Sequence, residues 1–434
     1  MRNDILYTPA HMITYEIRAI VEIADKLRKL GITTHMENIG DPIARGERLP
    51  VWLKSIVADL AQDDKSYGYS PTRGMLETRE FLARLTNEKG GVQISPDDIL
   101  FFNGLGDAIQ KIYGLLRPKV RVIISSPAYT THSAAESSHA EQPPLTYALD
   151  PSYGWLPDMD RVRAMVENDS RISGLLVINP DNPTGMVWPE ALLREAVEIA
   201  REHDLFLIAD EVYQSIVYNG METQPLCRVI GDVPGISMRG ISKEVPWPGS
   251  RCGWLEIYNA DKDPAFARYA HGLLQAKMQE VCSTTLPQLS IPRILSHPEY
   301  EAWLQERNAR YEKRANVAYE RLEEVRGLRV VRTNGAFYMS VVFEEGALNE
   351  SQKLHVDSPE ARRLVESALD QPNVSLDKRF VYYLLAATGV CLVPLSSFST
   401  PHQGFRMTLL QQDDDVFEQT IESIAKATTE FLSS

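Results

Sequence analysis

Leu205-Phe206-Leu207-Ile208-Ala209-Asp210 is a short apolar run that ends in a carboxylate. Strands that are buried on both faces of a sheet read as continuous apolar runs of this kind. Helical patterns lie between some of the runs, most clearly at Pro189–His203, where Pro189 suits a first helical position. This alternation predicts a largely parallel sheet covered by helices. Four more runs predict strands at Ile99–Phe102, Val120–Ile124, Gly174–Ile178 and Cys252–Ile257.

The pattern of the chain changes after about residue 297. His297–Arg326 predicts one long charged helix that ends at Gly327, and the polar stretch 345–378 predicts an inserted loop and helix. Together these segments predict a second, smaller α+β domain. It has strands near Leu328–Val331, Ala336–Val342 and Phe405–Leu409 and a final helix near Asp415–Leu432. At the other end of the chain, apolar residues from Ile13 to Leu27 recur at helical spacing until Gly31.

Composition excludes several classes of protein. The net charge of −14 argues against non-specific binding to nucleic acid. No apolar stretch approaches the roughly 20 residues that span a bilayer, and residues 1–5 lack the apolar core of a signal peptide. The cysteines are scattered without a CxxC pair, which argues against a disulfide framework or a metal site and indicates a cytoplasmic protein. The four cysteines are Cys227, Cys252, Cys282 and Cys391.

Several of the predicted strands are followed by residues that can hold a proton or an anion. Lys243 ends Gly240-Ile241-Ser242-Lys243, and Arg251 follows eight residues later. A lysine attacks a carbonyl only as the free amine, so apolar neighbours or a nearby cation must lower its pKa. Asp210 needs a cationic partner if it is buried. The turn Gly104-Leu105-Gly106 follows one strand and opens a helix, which is the geometry of an anion site.

Together these groups meet the needs of pyridoxal phosphate. This cofactor requires a Schiff-base lysine, an acid beside its pyridine nitrogen, donors to its ring oxygen and a cup for its phosphate. The order and spacing of the residues resemble the class I/II aminotransferases of fold type I. The motifs that carry the resemblance are Asn179-Pro180-Asp181-Asn182-Pro183-Thr184-Gly185, Asp210-Glu211-Val212-Tyr213 and Ser242-Lys243 with Arg251.

The resemblance covers about residues 12–430 and implies the α/β fold of that family. A large cofactor-binding domain, with a mostly parallel sheet flanked by helices, is expected over residues 51–296. Residues 1–50 and 297–434 are expected to form the smaller α+β domain together.

The resemblance also implies roles for the matching residues. Lys243 forms the internal aldimine and then moves the proton of the substrate α-carbon, while Asp210 keeps the pyridine nitrogen protonated. Tyr213 and Asn182 donate to the ring oxygen, and Tyr129 stacks on the ring. The residues expected at the phosphate are Leu105, Gly106, Ser242, Arg251 and Tyr69, the last reaching a neighbouring subunit's phosphate, with Ser283-Thr284-Thr285 as a further candidate.

Arg406 resembles the arginine that clamps the substrate α-carboxylate in two places, a task that suits a guanidinium. Gly40 resembles the glycine whose backbone approaches that carboxylate, Asn182 lies beside it, and Phe337 is expected in the pocket wall. Three positions depart from the family pattern. A hydroxyl residue is usual at Gly106 and frequent at Gly240, and a glycine is usual at Leu395.

The implied activity moves the amino group of an amino acid to a 2-oxo acid in a ping-pong reaction on a homodimer with shared active sites. A lyase, decarboxylase or synthase on the same cofactor is the alternative, because the same carbanion can expel a leaving group. A regulator without turnover is disfavoured by the intact set of residues. The side chain of the substrate is not predicted, although Lys277 and Arg293 are candidates for a basic residue that reads an acidic one.

Overall fold

The computed structural model describes residues 16–372 and 374–434, so the predicted helical position Ile13 lies outside the described residues. The helices are α1 (Glu16–Lys29), α2 (Val51–Leu60), α3 (Leu76–Glu88), α4 (Leu105–Gly114), α5 (Thr130–Ala140), α6 (Met159–Asn168), α7 (Glu190–Glu202), α8 (Leu226–Val229), α9 (Pro264–Met278), α10 (Thr285–Leu295), α11 (Tyr300–Glu323), α12 (Pro359–Leu369), α13 (Leu376–Thr388) and α14 (Asp414–Leu432). The strands are β1 (His35–Met36), β2 (Ile99–Phe102), β3 (Arg121–Ser126), β4 (Thr146–Asp150), β5 (Leu156–Pro157), β6 (Ile172–Ile178), β7 (Phe206–Asp210), β8 (Gly235–Gly240), β9 (Gly253–Tyr258), β10 (Leu328–Val330), β11 (Tyr338–Phe343), β12 (Val390–Cys391), β13 (Val393–Pro394) and β14 (Gly404–Thr408).

The larger sheet has eight strands in the order β2-β9-β8-β7-β6-β3-β4-β5. The strands from β4 through β3, β6 and β7 to β8 pair in parallel. The prediction of a strand at Cys252–Ile257 is confirmed within one residue as β9, but β9 runs antiparallel to both of its neighbours. The short loop from β8 to β9 contains no crossover helix, so it can only return the chain in the opposite direction. The sheet is therefore mixed, with a parallel centre.

The parallel centre brings the carboxyl ends of its strands to one edge of the sheet. Ile178, at the end of β6, lies opposite Asp210, at the end of β7, and Asp210 lies opposite Met238 of β8. The strands are buried because helices cover both faces of the sheet. Lys243 follows β8 at the same edge. Ligands of parallel sheets bind at this edge, and the candidate residues from distant parts of the sequence meet there.

A smaller antiparallel sheet has the order β10-β11-β14-β13. It shares one apolar core with α11, α13 and α14, and Ile20, Ala24 and Leu27 of α1 pack into the same core. These α1 residues are spaced as one helical face, which explains why the N-terminal segment joins the C-terminal part of the chain. The boundaries at 50/51 and 296/297 remain predictions.

Several predicted elements differ from the structure at their ends. The long helix predicted at His297–Arg326 is α11, Tyr300–Glu323. Pro189 precedes the first residue of α7 as its N-cap, because its extended backbone lies outside the helix. The strand predicted from Ala336 begins at Tyr338, because Ala336 has a φ of +53°, which no strand residue adopts. The segment 345–378 holds α12 and the start of α13, whose Phe380 and Leu384 are fully buried.

Among the described residues, no helix combines the length and the apolar character that a membrane span requires.

Candidate active site

Lys243 lies in the loop after β8, and its ammonium group is held by the N-terminal segment. Its Nζ donates a hydrogen bond to the carbonyl oxygen of Gly40 at 2.7 Å. The same nitrogen lies 6.0 Å from the ring centre of Tyr213 and 5.7 Å from that of Phe337. The half-buried amine therefore lies close to two aromatic rings and to one main-chain acceptor.

Asp210 ends β7 and is buried. Its Oδ1 accepts a hydrogen bond from Val212 N, and its Oδ2 lies 3.3 Å from His132 Nε2. The other ring nitrogen of His132 lies 3.3 Å from the hydroxyl of Tyr113. These contacts orient the carboxylate. It can still pair with a cationic group at the edge of the sheet.

His132 was missed by the sequence reasoning. It is fully buried on α5, three residues after Tyr129, and the two rings meet edge to face with centroids 6.1 Å apart. No local pattern marked His132, because its importance depends on the contact with Asp210, 78 residues away. Tyr129 itself is half-buried at the N-cap of α5.

Tyr213 stands in the turn after Asp210, with its hydroxyl 3.2 Å from that of Tyr338. Burial, and next the neighbouring Tyr338, raise the pKa of Tyr213 well above its ordinary value. The hydroxyl therefore stays protonated and able to donate. Tyr338 is a second residue that the sequence reasoning missed, although it follows the predicted wall residue Phe337. A Cβ added to Gly40 would lie 1.8 Å from the Tyr338 hydroxyl oxygen, so only glycine fits at this position.

Arg406 is buried on β14 and is held from several sides. Its Nη1 donates to Asn182 Oδ1 at 3.1 Å, and its Nη2 donates to the carbonyl oxygen of Asn38 at 2.5 Å. Its guanidinium carbon lies 4.4 Å from the ring centre of Tyr338 and 5.0 Å from that of Phe398. Stacking between two rings fixes the plane of the guanidinium.

The turn from β2 into α4 forms a cup for an anion. Gly104 has a φ of +83°, and a Cβ there would lie 2.5 Å from Arg251 Nη2, so the guanidinium lies directly on this glycine. Arg251 Nη2 also donates to the carbonyl oxygen of Asn103 at 3.4 Å. Leu105 and Gly106 are the first residues of α4, where a helix has no internal acceptor for their N–H groups. Half-buried Ser242 precedes Lys243 in the neighbouring loop.

Two of the departures from the family pattern have a local reason. A Cβ on Gly240 would lie 3.1 Å from the carbonyl oxygen of Cys252 in the adjacent strand, which leaves a larger residue little room. Leu395 is fully buried at the start of a short helical turn, so it packs into the protein. At Gly106 a Cβ would meet nothing within 4 Å, and nothing in the structure explains the missing hydroxyl.

Tyr69 is 86 % exposed, on a loop that is hydrogen-bonded to the segment after α9. Ser70 Oγ donates to Ser283 O, Thr72 Oγ1 donates to Val281 O, and Thr285 Oγ1 donates to Gly68 O. Thr284 approaches the cup from this segment, because its hydroxyl donates to the carbonyl oxygen of Arg251 at 3.4 Å.

The two basic candidates for reading a substrate side chain are engaged elsewhere. Lys277 is completely buried, and its Nζ contacts the carboxylates of Asp107 and Glu280. Arg293 pairs with Asp59 on the surface at 2.5 Å. These contacts enclose the Lys277 ammonium group, whereas Arg293 remains partly exposed.

Comparisons with known proteins agree on one family. The model of the family "Aminotransferase class I and II" matches residues 38–424. An uncharacterized aminotransferase of Methanocaldococcus jannaschii is 53 % identical over 434 residues, which cover 100 % of both chains. The glutamate-pyruvate aminotransferase AlaA of Escherichia coli is 28 % identical over 409 residues, 93 % of each chain.

A solved structure supports the same assignment. Alanine aminotransferase from Pyrococcus furiosus superposes with a TM-score of 0.84 at 26 % identity, covering 98 % of this chain and 100 % of that chain. The match extends across both sheets, and the motifs around Asn182, Asp210 and Lys243 lie inside the matched region. The chain belongs to the class I and II aminotransferases, and it is an enzyme of fold type I that transfers amino groups with pyridoxal phosphate.

Proposed function

We propose that Lys243 binds pyridoxal phosphate covalently and that Arg406 binds the α-carboxylate of the substrate. One observation carries the proposal: a single short segment contacts both groups. Gly40 O accepts from Lys243 Nζ, and two residues earlier Asn38 O accepts from Arg406 Nη2. An amino acid held by its carboxylate at Arg406 would therefore present its α-carbon near the amine of Lys243. Fixing both partners in this way supplies much of the catalysis of a two-substrate reaction.

The residues around Lys243 fit the cofactor. Arg251 lies flat on Gly104 at the start of α4, so two N–H groups and a guanidinium converge where a phosphate would bind. Buried Asp210 supplies the negative charge that a protonated pyridine nitrogen requires, and His132 holds its second oxygen. The Tyr213 hydroxyl and the Asn182 amide would each donate a hydrogen bond to the ring oxygen. Tyr129, beside His132, is the aromatic residue for the ring face.

When bound, the cofactor would supply a carbonyl carbon for the amino group and an electron sink for the substrate α-carbon. This chain's residues would contribute the rest. The amine of Lys243 would accept and return the α-proton. Asp210 keeps the ring nitrogen charged, and each pKa unit of that effect corresponds to about 1.4 kcal/mol. Arg406, Gly40 and Asn182 hold the carboxylate and so orient the bond that breaks.

We propose alanine and glutamate as the donors and their 2-oxo acids as acceptors. The support is the set of relatives named glutamate-pyruvate aminotransferase and alanine aminotransferase. We also propose a homodimer with shared sites. Large apolar groups stand exposed on and beside the loop of Tyr69, which is typical of an interface. The exposed groups are Tyr67, Tyr69, Met278 and Val281. A cytoplasmic location completes the proposal, and the four free thiols support it.

Two measurements test these assignments. Borohydride reduction of the enzyme with its cofactor, followed by peptide mass mapping, is expected to place the pyridoxyl group on Lys243. A label on buried Lys277 or any other lysine would refute the assignment. A panel of amino donors against pyruvate and 2-oxoglutarate, with conversion of the cofactor to its amine form followed in a half-reaction, tests the substrates. Release of carbon dioxide or a leaving group without that conversion would indicate the lyase or decarboxylase chemistry instead.

A further inference from the structure

Arg307 of α11 is completely buried, which is unusual for an arginine. Its Nε donates to Glu47 Oε1 at 2.5 Å, and its Nη2 lies 3.3 Å from Glu47 Oε2, so the two side chains form a two-point ion pair. The guanidinium also lies over Trp303 and Tyr311, with its carbon 5.0 Å and 5.6 Å from the ring centres. Burial of both charges is costly unless they are fully paired.

Arg307 also contacts the Tyr311 hydroxyl, to which Nη2 donates at 3.1 Å, and the main chain at Lys243. Nη1 donates to the carbonyl oxygen of Glu244 at 2.6 Å, and Nη2 donates to that of Lys243 at 3.3 Å. These two carbonyl groups belong to the loop between β8 and β9. Arg307 therefore joins the loop of Lys243 to Glu47 of the N-terminal segment.

The two ends of Lys243 are bound to the same segment. Its Nζ donates to Gly40 O, and its carbonyl group is reached through Arg307 and Glu47, seven residues after Gly40. The contacts close a ring from the amine to Gly40, along the segment to Glu47, through Arg307 and back to Lys243. A shift of the lysine backbone would break the hydrogen bonds that the carbonyl oxygens of Lys243 and Glu244 accept from buried Arg307.

We infer that Arg307 and Glu47 are positioning residues that hold Lys243 at a fixed place relative to the substrate-binding segment. The inference rests on the proposed role of Lys243 in covalent binding of the cofactor. Neither residue contacts the reacting atoms in this scheme. Their effect passes through the lysine main chain, and a displacement of about 1 Å in a reacting group can cost about 100-fold in rate.

The same helix provides a matched control. Arg314 is also buried, pairs with Asp414 at 3.2 Å and donates to the carbonyl oxygens of Leu409 and Gln412. It resembles Arg307 in burial and in its two carbonyl contacts, but its partner Asp414 is 41 % exposed whereas Glu47 is buried. Its partners lie at the start of α14 and just before it, away from the Lys243 loop. The melting temperature is therefore expected to fall less in the control variants, and a purely structural role of Arg307 would leave kcat and the pH midpoint equal in the variants of both arginines.

The experiment compares Arg307→Lys with Arg314→Lys and Glu47→Gln with Asp414→Asn in the enzyme with its cofactor. For each variant, kcat, KM, the melting temperature and the pH midpoint of the visible absorption change of the bound cofactor are measured. Arg307→Lys and Glu47→Gln are expected to lower kcat by at least about 10-fold, with KM changed less, and to shift the pH midpoint. The control variants are expected to lower only the melting temperature.

Equal kcat and equal pH midpoints in the two Arg variants, or in the two acid variants, would overturn the inference. If Arg307→Lys does not fold, Glu47→Gln and Asp414→Asn still decide the question. A failure of the proposed function is detected by a separate measurement. In that case the pyridoxyl label of the wild-type enzyme would lie on a lysine other than Lys243. The label on Lys243 together with unchanged pH midpoints would contradict the positioning role alone.

Discussion

Arg406 and Asn182 lie 224 residues apart in the sequence, and Arg406 Nη1 donates a hydrogen bond to Asn182 Oδ1 at 3.1 Å. The arginine belongs to the small antiparallel sheet, and the asparagine follows β6 of the large sheet. Because the amide oxygen accepts from the guanidinium, the Nδ2 group of Asn182 remains as the donor end of the amide. Under the proposed function, the Asn182 side chain would therefore orient Arg406 and still donate to the ring oxygen of the cofactor.

Arg406→Ala is expected to weaken the use of every amino acid substrate, whatever its side chain, because all of them share the α-carboxylate. Removal of one partner of a buried charge pair costs about 2–5 kcal/mol, and about 1.4 kcal/mol corresponds to tenfold, so kcat/KM should fall at least about 30-fold. Arg406→Lys should recover part of the loss, since an ammonium group keeps the positive charge but lacks the planar two-point geometry of a guanidinium. Parallel measurements with a small and a bulky donor check this. A loss confined to one donor would contradict the carboxylate role.

Asp210→Asn is expected to lower kcat by about 100-fold or more while some cofactor stays bound, since the amide cannot hold the ring nitrogen in its charged form. Asp210→Glu should be milder. Asp181→Asn is the matched control, because Asp181 is also a buried aspartate at the same edge, but it accepts from Thr184 N and Thr184 Oγ1. Single-turnover rates decide the role. Near-normal rates in Asp210→Asn would show that the carboxylate does not serve the cofactor.

Asp181 should make the stability of the protein depend on pH. Burial raises its pKa from 3.8 to about 7. A raised pKa means that the folded state binds the proton more tightly, so this contribution to stability is present below about pH 4 and is lost as the pH rises through about 7. Asp181→Asn removes the titration. Its melting temperature, relative to that of the wild type, should therefore rise from acid to neutral pH.

The control for this prediction is Asp169, whose pKa is lowered to about 2 by the side chain of Arg171. Asp169→Asn should give a small effect of the opposite sign, because a surface pair is screened by solvent and its contribution is present only above the unfolded pKa. The melting temperatures of Asp181→Asn and the wild type are compared from about pH 4 to about pH 8. A constant difference over this range would exclude a titrating Asp181.

Tyr69→Phe is expected to weaken cofactor retention at least about 10-fold while the dimer persists, because a hydrogen bond to a charged phosphate contributes about 1.5–3 kcal/mol and about 1.4 kcal/mol corresponds to tenfold. Tyr67→Phe is the control, since Tyr67 lies on the same loop and its hydroxyl donates to Ala61 O of its own protomer. Cofactor dissociation constants and light scattering on dilute samples test both points. A fully active monomer would contradict the dimer and the role of Tyr69 in a partner's site.

Sequence reasoning predicted the candidate reactive groups but not all of the residues that contact them. Lys243, Asp210 and Arg251 each follow or end a recognisable local pattern, so their positions relative to the strands could be predicted. His132, Tyr338 and Arg307 were not singled out, because each sits in an ordinary helix or strand sequence. Their importance depends on contacts with residues at least 63 positions away, which no local pattern records.

By itself the sequence determined the local features: the apolar run that ends at Asp210, the glycine turn before α4 and the lysine after β8. These follow from residue type and short-range geometry, which a few neighbouring residues set. Only the tertiary structure decided that β9 turns antiparallel and that Gly40, Asn182 and Arg406 meet at one place. Long-range contacts of this kind depend on how the eight-stranded and the four-stranded sheet pack. Packing is a property of the whole chain rather than of any segment.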